Sequence, residues 1–100
     1  ITEIRTIAAD NLWMSPCYKT DCVAIHFTWK QNVDEVAALL PMIESTLKPF
    51  KARPHWGKVF KMEPELLKSR YARLPDFIEL INKHDPKGKF KNDYLNLNIV

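Results

Sequence analysis

One hundred residues are enough for one small domain with a single core. Hydrophobic residues make up 46% and charged residues 27%, which excludes a disordered chain, and no apolar run approaches the ~20 residues that span a bilayer. The net charge of +3 is too mild to mark a polyanion binder by itself, with much of the excess late, at Lys83, Lys87, Lys89 and Lys91.

Ile1 to Ala8 alternates as a strand, with Glu3 and Arg5 on one face and Ile4 on the other. The chain opens on Ile1 inside that strand, without a secretory pattern, which points to a piece of a longer protein. Ala9 to Thr20 has no period and reads as a loop. Cys17 and Cys22 are too few for a disulfide framework, and with His26 they offer too few ligands for a tetrahedral site. Free thiols in a reducing, cytoplasmic compartment and no metal are expected. Cys22 to Lys30 is the clearest strand: Val23, Ile25, Phe27 and Trp29 form a large apolar face, while Cys22, Ala24, His26, Thr28 and Lys30 form the other.

Asn32, with Glu35 three residues on, predicts a capping box and a helix to about Lys48-Pro49. Val33, Val36, Ala37, Leu40, Ile43 and Leu47 give it one buried stripe, and Pro41 predicts a kink or a break. Phe50 to Arg53 reads as a short strand. Helices are expected from Glu63-Pro64-Glu65 and from Pro75, the second stopped by Asp85-Pro86-Lys87-Gly88. Phe90, Tyr94, Leu95 and Leu97 read as anchors of a C-terminal tail. The order predicts an α+β fold, a small antiparallel sheet with helices packed on one face, which leaves the Glu3, Arg5, His26 and Thr28 side for a ligand.

Arg53-Pro54-His55-Trp56-Gly57-Lys58 joins an imidazole, an indole and an ammonium in a non-helical array, with Pro54 pushing Arg53 towards an extended conformation. If the two strands pair and Lys58 arrives over the same face, Glu3, Arg5, His26, Thr28 and Lys58 converge. Carboxylate, guanidinium, ammonium and hydroxyl suit a row of substrate hydroxyls, with charge-assisted bonds worth roughly 1.5–3 kcal/mol each. Read residue by residue without further context, Glu3 and Arg5 are rather an exposed cross-strand pair, His26 a satisfied core histidine, Thr28 an ordinary strand residue and Lys58 surface charge.

The HWGK segment, with the HFTW segment upstream and DPKGKFKNDYL downstream, resembles the C-terminal part of the alditol oxidase and aldonolactone oxidase family, closest to the bacterial alditol (xylitol) oxidases. The resemblance covers essentially the whole chain and implies the C-terminal, substrate-binding part (residues 1–100) of a larger two-domain flavoenzyme. By that resemblance Glu3, Arg5, Thr28 and Lys58 bind substrate, Arg5, His26 and Lys58 serve catalysis, and His55 touches the flavin. His26 could act as a base or as an orienting donor, and the positioning role is the one expected, because Glu3 and Arg5 nearby would pin the imidazole. Arg53, Pro54, Trp56 and Gly57 shape the motif, with Trp56 as packing.

The implied reaction is oxidation of an alditol or sugar lactone at a carbinol carbon, with oxygen reduced to hydrogen peroxide. The implied cofactor is FAD. Gly57 and Gly88 are the only glycines and lie far apart, so a glycine-rich phosphate cradle is not expected here. The FAD-binding domain is then the chain's expected partner, beside the polyol or lactone, and the 100 residues alone are expected to be inactive. One rival reading is a non-catalytic carbohydrate or protein interaction module. A nucleic-acid binder is disfavoured, because Asp85 and Asp93 interrupt the late lysines.

Overall fold

The computed structural model describes residues 1–100. Two strands, β1 (Thr2–Ile7) and β2 (Cys22–Phe27), form one antiparallel pair. Its register sets Thr2 opposite Phe27, Glu3 opposite His26, Ile4 opposite Ile25 and Arg5 opposite Ala24. Opposed residues share a face, so Glu3, Arg5 and His26 stand together, and Ile4, Val23, Ile25 and Phe27 occupy the reverse. The Thr28 amide donates to the Ile1 carbonyl at 2.9 Å, which carries the ladder one pair further.

The α+β class holds, with four helices after the two strands. The helical cover expected over Val23, Ile25, Phe27 and Trp29 does not form. The extensive contacts between elements are β1 with β2, α2 with α4, and α1 with the turn after it. Ile4 is 70%, Val23 63% and Ile25 43% exposed, while Phe27 and Trp29 stack on each other at 5.2 Å. The physical reason is where the long helix goes. In α1 (Val33–Leu47) the side chain of Glu44 accepts the Lys61 amide at 2.6 Å, so α1 lies along the 61–66 segment and not on the sheet.

Pro41 sits inside α1 without dividing it. Its missing N–H leaves the Ala37 carbonyl without a helical donor, and both residues line a groove facing Lys61, Met62 and Leu66. The expected capping box is incomplete: the Asn32 side chain donates to Glu35 Oε2 at 3.4 Å but caps no backbone amide. Of the predicted stripe only Leu40 is buried, and Val33 is 77% exposed. The segment expected as a strand at 50–53 is a 3₁₀ turn (Lys48–Phe50) closed by Lys51 in the left-handed region, φ 53°, followed by unpaired chain.

The core belongs to the last third of the sequence. Leu67 of α2 (Pro64–Ser69), Tyr71, Leu74 of α3 (Leu74–His84) and Ile99 are buried together, flanked by Met14, Trp56, Phe60 and Leu95. The expected tail is a helix, α4 (Asp93–Asn98), whose N-cap Asn92 accepts the Leu95 amide at 2.8 Å. That cap turns Phe90 and Leu97 outward (79% and 61% exposed) and sends Asn98 and Ile99 into the core instead.

The loop from Ala8 to Asp21 joins the two halves. Asp10 holds it folded, accepting Ser15 Oγ at 2.5 Å and the Leu12 amide at 3.0 Å. It is fastened to the helical half by Trp56 Nε1, which donates to the Met14 carbonyl at 2.8 Å, and by the Arg73 guanidinium 4.6 Å over the Trp13 ring. The resulting body is elongated, 42 × 31 × 20 Å, with a radius of gyration of 15.0 Å against the about 13 Å usual for this length.

Candidate active site

The polar face of the hairpin and the 53–58 turn meet. Arg5 Nη2 donates to Glu3 Oε2 at 3.0 Å, His26 Nδ1 lies 4.0 Å from the same oxygen, and Lys58 Nζ stands 3.0 Å from His26 Nε2. An ammonium carries only donors, so at that contact His26 Nε2 accepts. The network thereby assigns the ring proton to Nδ1, the nitrogen facing the Glu3 carboxylate. Four of the predicted heads thus form one chain, Lys58–His26–Glu3–Arg5. Thr28 shares their face by register, with no side-chain hydrogen bond of its own, and is exposed.

The turn that presents Lys58 is built locally. The Lys58 amide donates to the His55 carbonyl at 3.1 Å, and the Gly57 amide to His55 Nδ1 at 3.0 Å. A Cβ on Gly57 would meet the His55 ring at 3.4 Å, so glycine lets the imidazole fold back on its own turn. His55 is exposed, and with Nδ1 engaged its free nitrogen is Nε2. One free edge fits a single contact with a flavin ring. Nothing nearby cradles a pyrophosphate: Gly57 serves the His55 turn, and Gly88, at φ 65°, serves the turn after α3.

Two further residues hold the turn in place. Arg53 Nη1 donates to the Pro16 carbonyl at 2.9 Å, and its guanidinium lies 5.2 Å over the Tyr71 ring. Trp56 packs on Tyr71 at 4.9 Å, and the Tyr94 hydroxyl donates to the Trp56 carbonyl at 2.6 Å. Tyr71 had no signal in the sequence, since it lies between two short helices where no period operates. Burial pushes its phenol up to about 12. Burial also raises the Cys17 thiol, with its neighbour Cys22 adding to the effect, and both thiols are free.

The cluster is open rather than enclosed, with side-chain exposures of 73% for Arg5, 47% for Glu3 and 42% for His26. Two cations and one carboxylate leave it positive. Such a face donates to hydroxyl oxygens from Arg5 and Lys58 and accepts from a hydroxyl at Glu3.

The open sheet face thus gathers heads able both to donate to and to accept from hydroxyl groups. The sequence model of the D-arabinono-1,4-lactone oxidase family matches residues 2–98, and the chain belongs to that family. It is 44% identical over 93 residues to an alditol oxidase of Streptomyces sp. (strain IKD472 / FERM P-14339), covering 93% of this chain and 22% of that protein. It is 30% identical over 96 residues to the L-gulonolactone oxidase of Scyliorhinus torazame, with the same two shares, 93% and 22%. It is 29% identical over 94 residues to the L-gulono-1,4-lactone dehydrogenase of Mycobacterium tuberculosis (strain ATCC 25618 / H37Rv), covering 92% of this chain and 21% of that protein. The chain therefore spans about a fifth of the length of these relatives. No helix is long and apolar enough to cross a membrane.

Proposed function

We propose that this chain is the substrate-binding C-terminal part of an FAD-dependent oxidase acting on alditols or sugar lactones and releasing hydrogen peroxide. The carrying observation is the 3.0 Å approach of Lys58 to His26 over the face that also holds Glu3 and Arg5. In this reading Glu3, Arg5, Thr28 and Lys58 bind the substrate hydroxyls, and Arg5, His26 and Lys58 serve the reaction. FAD, held mainly by a domain outside these residues, supplies the hydride acceptor and the route of electrons to oxygen. His55 offers its free Nε2 edge to that cofactor.

The chain's own work is orientation and charge. Lys58 and Arg5 donate to the reacting oxygen and stabilise it as it becomes an alkoxide. His26 Nε2 is the unprotonated nitrogen of the cluster. It can receive the hydroxyl proton once Lys58 turns its donors to the substrate, with the Glu3 carboxylate 4.0 Å from the other ring nitrogen. The exposure of the heads fits a face completed by other parts of the enzyme.

The test is oxygen uptake and peroxide release by the full-length enzyme with xylitol, sorbitol and galactonolactone, alongside the isolated 100 residues. Turnover with at least one of them by the full-length protein, and none by the isolated chain, is expected. Inertness of the full-length enzyme towards all three, or peroxide release by the pure chain, overturns the reading.

A further inference from the structure

We propose that Arg53 is the positioning residue that sets where Lys58 stands over the polar sheet face. This rests on the reading of Lys58 as a substrate-facing cation. No regular element fixes that placement, because the segment from Ala52 to Glu63 contains neither helix nor strand and no helix makes an extensive contact with the sheet.

One guanidinium supplies the missing connection. Arg53 Nη1 donates to the Pro16 carbonyl at 2.9 Å and lies 3.5 Å from that of Ser15. The same Pro16 carbonyl is 3.6 Å from Sγ of Cys22, the first residue of β2. Four residues along β2, His26 meets Lys58 at 3.0 Å. From Lys58 the chain returns through Gly57, Trp56, His55 and Pro54 to Arg53. The contacts close a ring: Arg53, Pro16, Cys22, β2, His26, Lys58, the turn, and Arg53 again.

The ring is stiff along most of its length. β2 is paired, the turn is tied by two bonds on His55, and Pro54 restricts the backbone of Arg53. The guanidinium lies 5.2 Å over the ring of buried Tyr71. Opened at Arg53, the turn keeps its tether through Trp56 to Met14, which lies two positions further from β2 along the loop than Pro16 and makes no contact of its own with Cys22 through that bond. Lys58 is then free to swing away from His26. Lysine in place of Arg53 keeps the charge and loses the forked guanidinium that reaches Pro16 and lies over Tyr71.

The experiment uses the full-length oxidase in five forms: wild type, Arg53→Ala, Lys58→Met, the double variant, and Arg53→Lys. Two quantities are read, kcat and KM with the best alditol or lactone, and the imidazole nitrogen resonances of His26 in protein labelled with 15N-histidine. Arg53→Ala is expected to lower kcat by on the order of 100-fold, the size a small misplacement of a catalytic group produces. KM changes less. In the Lys58→Met background the same substitution adds less than about twofold, because the residue it positions is gone. The His26 resonances move in Arg53→Ala towards those of Lys58→Met, and Arg53→Lys falls between on both readouts.

Equal losses from Arg53→Ala in the two backgrounds, or His26 resonances unmoved in Arg53→Ala, overturn the proposal. Should Arg53→Ala not fold, Arg53→Lys decides on the same two criteria. A kinetically silent Lys58→Met whose His26 resonances still shift, as they do in Arg53→Ala, leaves Arg53 as the positioning residue. What fails in that case is the reading of the face as the oxidase site.

Discussion

The hairpin and the helical half of this chain are stabilised by different means. In the hairpin the strand residues are exposed or half-buried, and the order comes from backbone pairing and a chain of charged heads. In the helical half Leu67 is fully buried, with Tyr71, Leu74 and Ile99 packed on it. Most heads of the proposed site sit on the half with almost no core. Its geometry is therefore borrowed from the other half through Arg53, Trp56 and the loop they grip. An exposed charged pair such as Glu3–Arg5 contributes about 0–1 kcal/mol and cannot hold a site in place unaided.

If that division is right, removing a head from the hairpin side costs activity and little stability. If the proposed function holds, Lys58→Ala in the full-length protein is expected to reduce kcat by about 10²–10³-fold, the scale of losing one electrostatic donor to a developing oxyanion, with the denaturation midpoint nearly unchanged. Near-normal turnover in that variant would break the comparison at its most important point. The reverse holds on the helical side. Leu67→Ala leaves a void in the fully buried centre and is expected to destabilise by about 2–5 kcal/mol in a denaturant titration.

The hairpin and the sharing of one face by Glu3, Arg5, His26 and Thr28 were legible because a period of two over six residues is a strong local signal. Lys58 was legible only as a possibility, since its approach depends on a turn whose direction is set by Arg53 and Trp56, contacts 37 to 42 residues apart in sequence. The helical cover on Val23 and Ile25 was misread for a related reason. Alternation says which face is apolar but not what covers it, and α1 follows Lys61 and Leu66 instead. α4 escaped because six residues are too few to show a period. Its one signal, Asn92 three residues ahead of Leu95, was overshadowed by the apolar residues around it.

Tyr71 sharpens the contrast with a pH measurement. Its phenol is buried with no hydrogen-bond partner, and burial lifts it from the ordinary 10 to about 12. The folded state holds this proton more tightly than the unfolded chain. The stability linked to it is fully present below pH 10 and is lost as pH rises through about 12. Across that window stability is expected to fall by about 1.4 kcal/mol per pH unit. Tyr71→Phe keeps the ring that Arg53 and Trp56 pack on and removes an unpaired hydroxyl. It is expected to flatten that slope and to be neutral or slightly stabilising at pH 7. An unchanged slope in Tyr71→Phe assigns the alkaline transition to another group.

The smallest effect is expected on the bare sheet face. Val23 is 63% exposed, so Val23→Ala removes two methyl groups that already meet water. The change in stability of the 100-residue chain should stay within about 0.5 kcal/mol, the range of ordinary surface substitutions. Burial, not residue type, separates this valine from Leu67, and the two variants measured side by side test that directly. A loss at Val23 approaching that of Leu67→Ala in the 100-residue chain would mean the apolar face is covered in solution. The same pair measured in the full-length protein then isolates what the rest of that protein adds to the hairpin. The helical core serves as the internal standard, because Leu67 is already fully buried within these residues.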